Sequence, residues 1–109
     1  MTSTQPHTVD TNLGPIGVEA TEPAPGLRVF SLPTNVSPDS PYRWILAHHD
    51  GPALASFETD DAAKRAAEQV GALVDWTRNA MTVANLLGPG GMNDLMEQLR
   101  SAGGQHPNA

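Results

Sequence analysis

The sequence predicts an α+β fold: a three-stranded antiparallel sheet with a helix packed on one face, plus one or two short C-terminal helices. Three observations predict it. Short apolar runs of strand length lie between residues 27 and 58, a helical pattern opens at Thr59, and an apolar stripe at helical spacing follows the "GPGG" of residues 88–91. Alternation with period two marks a half-buried strand, and recurrence near 3.6 marks an amphipathic helix.

Taken in order, residues 1–26 contain Pro6, Pro15, Pro23 and Pro25 and are expected to form a disordered tail. In "GLRVFSL", Leu27, Val29 and Ser31 alternate with Arg28, Phe30 and Leu32, which predicts the first strand. "PTNVSPDSP" carries three prolines and predicts a loop. The second strand is expected over 42–49 and the third over 53–58. A hairpin register in which partners sum to 101 sets Trp44 opposite Phe57, Leu46 opposite Ala55 and His48 opposite Ala53. On the other face it sets Arg43 opposite Glu58 and Ile45 opposite Ser56. Aromatic and opposite-charge pairs of this kind each contribute about 0.2–1 kcal/mol. Pro52 lacks an N–H, so a four-residue loop over 49–52 replaces the tight Asp50-Gly51 turn.

Thr59 is a candidate N-cap, and Asp60 and Asp61 place negative charge at the positive end of the helix dipole. Ala63, Ala66, Ala67, Val70 and Val74 then recur on one side, predicting a helix over 59–74 whose small residues allow close approach to the sheet. A second helix is expected from Thr77, as cap, to about Leu87, with Trp76 and Met81 as a hydrophobic staple. The expected organisation is therefore a small α+β domain over 27–87, a flexible Gly/Pro linker at 88–91, an amphipathic helix over 92–102 and a disordered tail over 103–109.

The totals bound the function. A chain of 109 residues holds one domain, and the absence of cysteine excludes a disulfide framework or a thiolate metal cage. The start lacks a basic and apolar leader, and no apolar run approaches the roughly 20 residues that cross a bilayer, so a cytoplasmic, soluble protein with no membrane partner is expected. The formal charge of −6 is spread as −3 over residues 1–26, −2 over 27–87 and −1 over 88–109, which gives nucleic acid no evident electrostatic footprint.

His48-His49-Asp50 is the most chemically suggestive run. Adjacent residues of a regular strand point to opposite faces, so the two imidazoles are not expected to share a metal. Asp60-Asp61 reads as helix-start charge rather than a catalytic pair, and "GPGG" lacks the GK[ST] ending of a phosphate loop. No catalytic residue, metal ligand or cofactor is assigned, and the chain is expected not to be an enzyme. A site near His48 and Asp50 is the weakest alternative.

Trp44, Phe57, Glu58, Thr59, Ala63 and Ala66 form a local pattern that resembles the DNA-binding domains of plant ethylene-response factors and similar three-stranded integrase arm-binding domains. The resemblance implies a sheet whose face opposite the helix reads the major groove. Here that face offers Arg43, Ile45, Ala47, His49, Leu54, Ser56 and Glu58, few cations for phosphate contacts. DNA binding through Arg28, Arg43 and His49 stands as the alternative function.

The leading expectation rests on Met92, Leu95, Met96 and Leu99, one apolar stripe on a short helix. A helix of about ten residues is marginal alone in water, so its stripe needs a surface. That surface is either the domain itself or a protein partner, and methionine suits adaptable contacts. The chain is expected to be a small non-catalytic interaction or regulatory module that binds a protein partner or itself. A homodimer would also support a domain of only about 60 ordered residues.

Overall fold

A computed structural model describes residues 4–11, 14–31, 41–49 and 53–105. The fold is α+β, but the antiparallel sheet has five strands rather than three: β1 (Thr4–Thr11), β2 (Gly14–Ala24), β3 (Leu27–Ser31), β4 (Trp44–His48) and β5 (Ala53–Phe57), paired in chain order. Two helices follow, α1 (Asp60–Val70) and α2 (Ala80–Ser101).

The two additional strands come from the segment expected to be disordered. Its prolines sit where a sheet tolerates them. Pro6 lies on the edge strand β1, Pro23 at the register shift of β2 between Thr21 and Ala24, and Pro25 in the turn that joins β2 to β3. Pro6 pairs with Glu19 and Pro15 with Asp10, ladder positions of one parity, so neither ring has to replace a donor inside the β1–β2 pair. Ile16, Val18 and Ala20 supply a period-two pattern that the proline count outweighed.

Pro25-Gly26 makes the two-residue turn closing Ala24 against Leu27, with Gly26 at φ +84 as a type II turn requires. A Cβ at Gly26 would lie 2.1 Å from the Trp76 carbonyl oxygen, so the backbone after α1 rests directly on this glycine. In the β4–β5 hairpin Trp44 faces Phe57, Ile45 faces Ser56 and Leu46 faces Ala55, as the sum of 101 requires. The register then shifts, and Ala47 rather than His48 pairs with Ala53, leaving Leu54 as the extra residue of a bulge. Arg43 and Glu58 fall beyond the ladder. Residues 32–40 and 50–52, expected to hold the long loop and the hairpin turn, lie outside the described residues.

The Thr59 hydroxyl accepts from the Ala62 N–H at 3.1 Å, and Asp60 pairs with Lys64 at 2.8 Å. The helix ends at Val70 rather than 74, where the Trp76 indole N–H donates to the Val70 carbonyl at 2.9 Å. Ala63, Ala66, Ala67 and Val70 pack against Leu27, Val29, Leu46, Ala55 and Phe57 to form the main core. The second helix is capped by Asn79, whose side chain accepts from the Thr82 N–H at 2.8 Å, and not by Thr77, whose N–H and hydroxyl both donate to Asp75. The staple does not form: Trp76 is buried while Met81 is 76% exposed.

Residues 88–91 do not separate a free helix. α2 continues through them, broken only at Gly88 (φ 67, ψ 179), and Pro89 opens its second arm where a helix start needs no N–H. Beyond α2, Gln105 exchanges two backbone hydrogen bonds of 2.9 Å with Ser56, adding one residue to the β5 edge within the expected tail.

The opposite face of the sheet carries a second, smaller core of Ala20, Phe30, Ile45 and Ala47, with Val18 against it. His7 reaches across β2 to Phe30, ring centroids 5.1 Å apart. Among the described residues no helix is long and apolar enough to cross a membrane.

Candidate functional site

The histidine pair of β4 lies at the end of the sheet where β2, β3 and the segment between the helices meet. His48 is the last strand residue, opposite Leu27, and is buried on the helix side of the sheet. His49 has already left the strand, so strict alternation no longer applies. Its ring lies 4.3 Å from that of His48, centroid to centroid, instead of on the far face. The His49 N–H donates to the Gly26 carbonyl at 2.9 Å. Its Nε2 lies 3.1 Å from the Thr77 carbonyl oxygen and 3.0 Å from that of Arg78; two acceptors require that Nε2 carry a proton and donate. The His48 ring stands 6.2 Å from that of Trp76. The pair thus ties the turns at Gly26 and at 76–78 to the end of β4. Asp50, the third member of the run, lies outside the described residues. Among the described residues no three His, Asp or Glu side chains gather to hold a metal ion.

A cavity of about 230 Å³ opens beside His48, walled by Trp76, Leu54 and the helix side chains Val83, Leu87 and Leu95. Among the described residues of its lining His48 is the one ionisable side chain.

The residues of the nucleic-acid alternative are placed differently from the expectation. Ile45 and Ala47, on the face expected to be open, are buried because the strands from residues 4–24 enlarge the sheet and help build a core there, and Ser56 on the same face is buried where Gln105 pairs with it. Arg28 is half-buried on that face. It donates to His7 Nδ1 at 3.2 Å and to Gln5 Oε1 at 3.4 Å, and its Nε lies 3.6 Å from a Glu22 carboxylate oxygen. Arg43 is half-buried just before β4, and His49 makes the contacts given above. These three side chains do not converge as a basic reading surface.

His7 itself was not singled out in the sequence. It is 5% exposed, and burial first, then the Arg28 guanidinium, holds its pKa below the ordinary value of 6.5. Its Nδ1 accepts from Arg28, while its Nε2 is buried with no hydrogen-bond partner among the described residues.

Of the expected partner-binding stripe, Leu95 and Leu99 are 1% and 2% exposed within the main core, and Met92 and Met96 are half-buried at its margin. The stripe is therefore docked on its own domain. Among the described residues the large apolar side chains left exposed are Met81, Leu86 (61% exposed) and Leu73. Met81 and Leu86 fall in residues 79–93, a stretch without a single charged side chain. That charge-free window was the available signal for them. No family model, curated protein or solved structure matches the chain.

Proposed function

We propose that the chain is a small non-catalytic interaction or regulatory module that binds a protein partner, or a second copy of itself, through apolar surface on α2. The observation that carries this reading is the exposure of Met81 and Leu86 on an uncharged helical arm. Each is a side chain whose burial contributes about 1.5–3 kcal/mol, and isolated charges that would keep such a surface solvated are missing from residues 79–93. Met92 and Met96 of the expected stripe extend the same helix at the margin of the core. Leu95 and Leu99, buried in the main core, are not part of this surface.

The test places a photocrosslinking side chain at Met81, and separately at Leu86, in the native host. A discrete adduct, either with a second protein or with this chain, is expected, and Leu86→Asp combined with the Met81 probe should remove it. If neither position gives a discrete adduct while the protein remains folded, the reading fails.

A further inference from the structure

We propose that the space between the second arm of α2 and β5 is a binding site for an amphipathic monocarboxylate, with its apolar tail in the cavity beside Trp76 and its carboxylate at Arg100. Two hollows make up the site. The inner one, about 230 Å³, is apolar except for His48. An apolar cavity of about 150 Å³ is enough to stay dry and hold a benzene ring, so the inner hollow has room for a larger hydrocarbon group. The outer one, about 350 Å³, has an apolar wall of Met96, Leu99 and Ala55, and its polar lining is Arg100 and Gln105. Leu54, the bulge residue of β5, lines both hollows. A ligand that runs past Leu54 from the inner hollow to the outer one would meet hydrocarbon first and a guanidinium last.

Spacing and charge support the same occupant. Met92 lines the inner hollow and Arg100 the outer one, and eight residues of helix span about 12 Å, a medium-length acyl chain rather than a compact ring. Among the described residues Arg28 pairs with Glu22, Lys64 with Asp60 and Arg78 with Asp75, while Arg65, which shows no ion pair, lines neither hollow. Arg100 has no such ion pair, although Glu97 stands three residues before it on an exposed position. A single guanidinium matches one carboxylate bidentately, and the apolar remainder offers nothing to a sugar or a nucleotide.

Met81 and Leu86, which carry the proposed partner surface, line neither hollow; the two proposals share only Met92, in the inner lining, and Met96, in the outer one. The experiment titrates the full chain with decanoate, below its micellar concentration, and with decanol, following backbone amide shifts. Saturable binding is expected, with shifts clustered at Leu54, Trp76, Ala84, Leu95 and Arg100. Arg100→Gln should weaken decanoate by about tenfold, the scale of one charge-assisted contact, while leaving decanol within about twofold. Ala84→Phe, at an exposed residue of the inner lining, should weaken both ligands by about tenfold or more. Unfolding midpoints of both variants establish that the fold persists. Absence of saturable binding overturns the proposal, as does decanoate binding that is indifferent to Arg100→Gln or to Ala84→Phe.

Discussion

At the scale of single residues, two positions illustrate how much one atom decides. Gly26 combines a positive φ with backbone packed against its missing side chain, whereas Gly103 has φ +98 and open space. Replacing Gly103 with alanine meets only the conformational cost of about 1–2 kcal/mol. Gly26→Ala adds a steric conflict with the Trp76 carbonyl and should exceed that cost by at least about 2 kcal/mol, read from urea midpoints at constant slope. His7 gives the second case. Its folded-state pKa is depressed, so the folded chain binds fewer protons than the unfolded chain below pH 6.5. Stability from this group is fully present above 6.5 and is lost as pH falls through the folded value. The charged and titratable groups around it are Arg28 from β3 and Glu22 from β2, with the neutral Gln5 beside it on β1. His7→Gln should therefore flatten the pH dependence of urea stability between pH 7.5 and 5. An unchanged slope would assign that dependence to the other histidines.

Secondary-structure elements show where the sequence was legible and where it was not. α1 was readable because its signals agree: Thr59 caps, Asp60 and Asp61 follow, and the alanine stripe faces the sheet. The β4–β5 register was readable as far as Leu46, where side-chain pairing decides it, and failed at Ala47 because a bulge has no local signature apart from the Leu54 it displaces. β1 and β2 are masked in the sequence by their prolines, whose number suggests a tail although each stands at a position a sheet tolerates. The C-terminal stripe is legible from its spacing, which allows docking on the domain or on a partner; what spacing alone lacks is the direction in which Gly88 turns the chain. Among the candidate site residues, the histidine pair was visible but its stacked geometry was not, since it depends on where the strand stops. The caps permit a direct check. Asn79→Ala removes the acceptor for the Thr82 N–H and should cost about 1 kcal/mol by thermal or urea unfolding, while Thr77→Ala, whose hydroxyl serves Asp75 and not the helix, leaves that cap intact.

For the whole molecule, the consequential difference is the second buried face. A three-stranded sheet with one helix layer leaves Phe30, Ile45 and Ala47 facing water, available to read a nucleic acid. The five-stranded sheet buries them, Phe30 to 2% exposure, with His7 and Val18 brought in by the β1–β2 hairpin. The two arrangements make opposite predictions for Phe30→Ala. On an open face the substitution removes a solvated side chain and changes stability by no more than about 0.5 kcal/mol. In a closed second core it removes an aromatic ring from among packed neighbours and costs about 3–5 kcal/mol, of which part is the cavity left behind. Phe57→Ala, in the main core under either arrangement, supplies the reference cost in the same protein. A Phe30→Ala loss comparable to that of Phe57→Ala, in equilibrium urea unfolding, would establish that both sheet faces are interior. The molecule's contacts with other molecules would then have to come from its helices and strand edges.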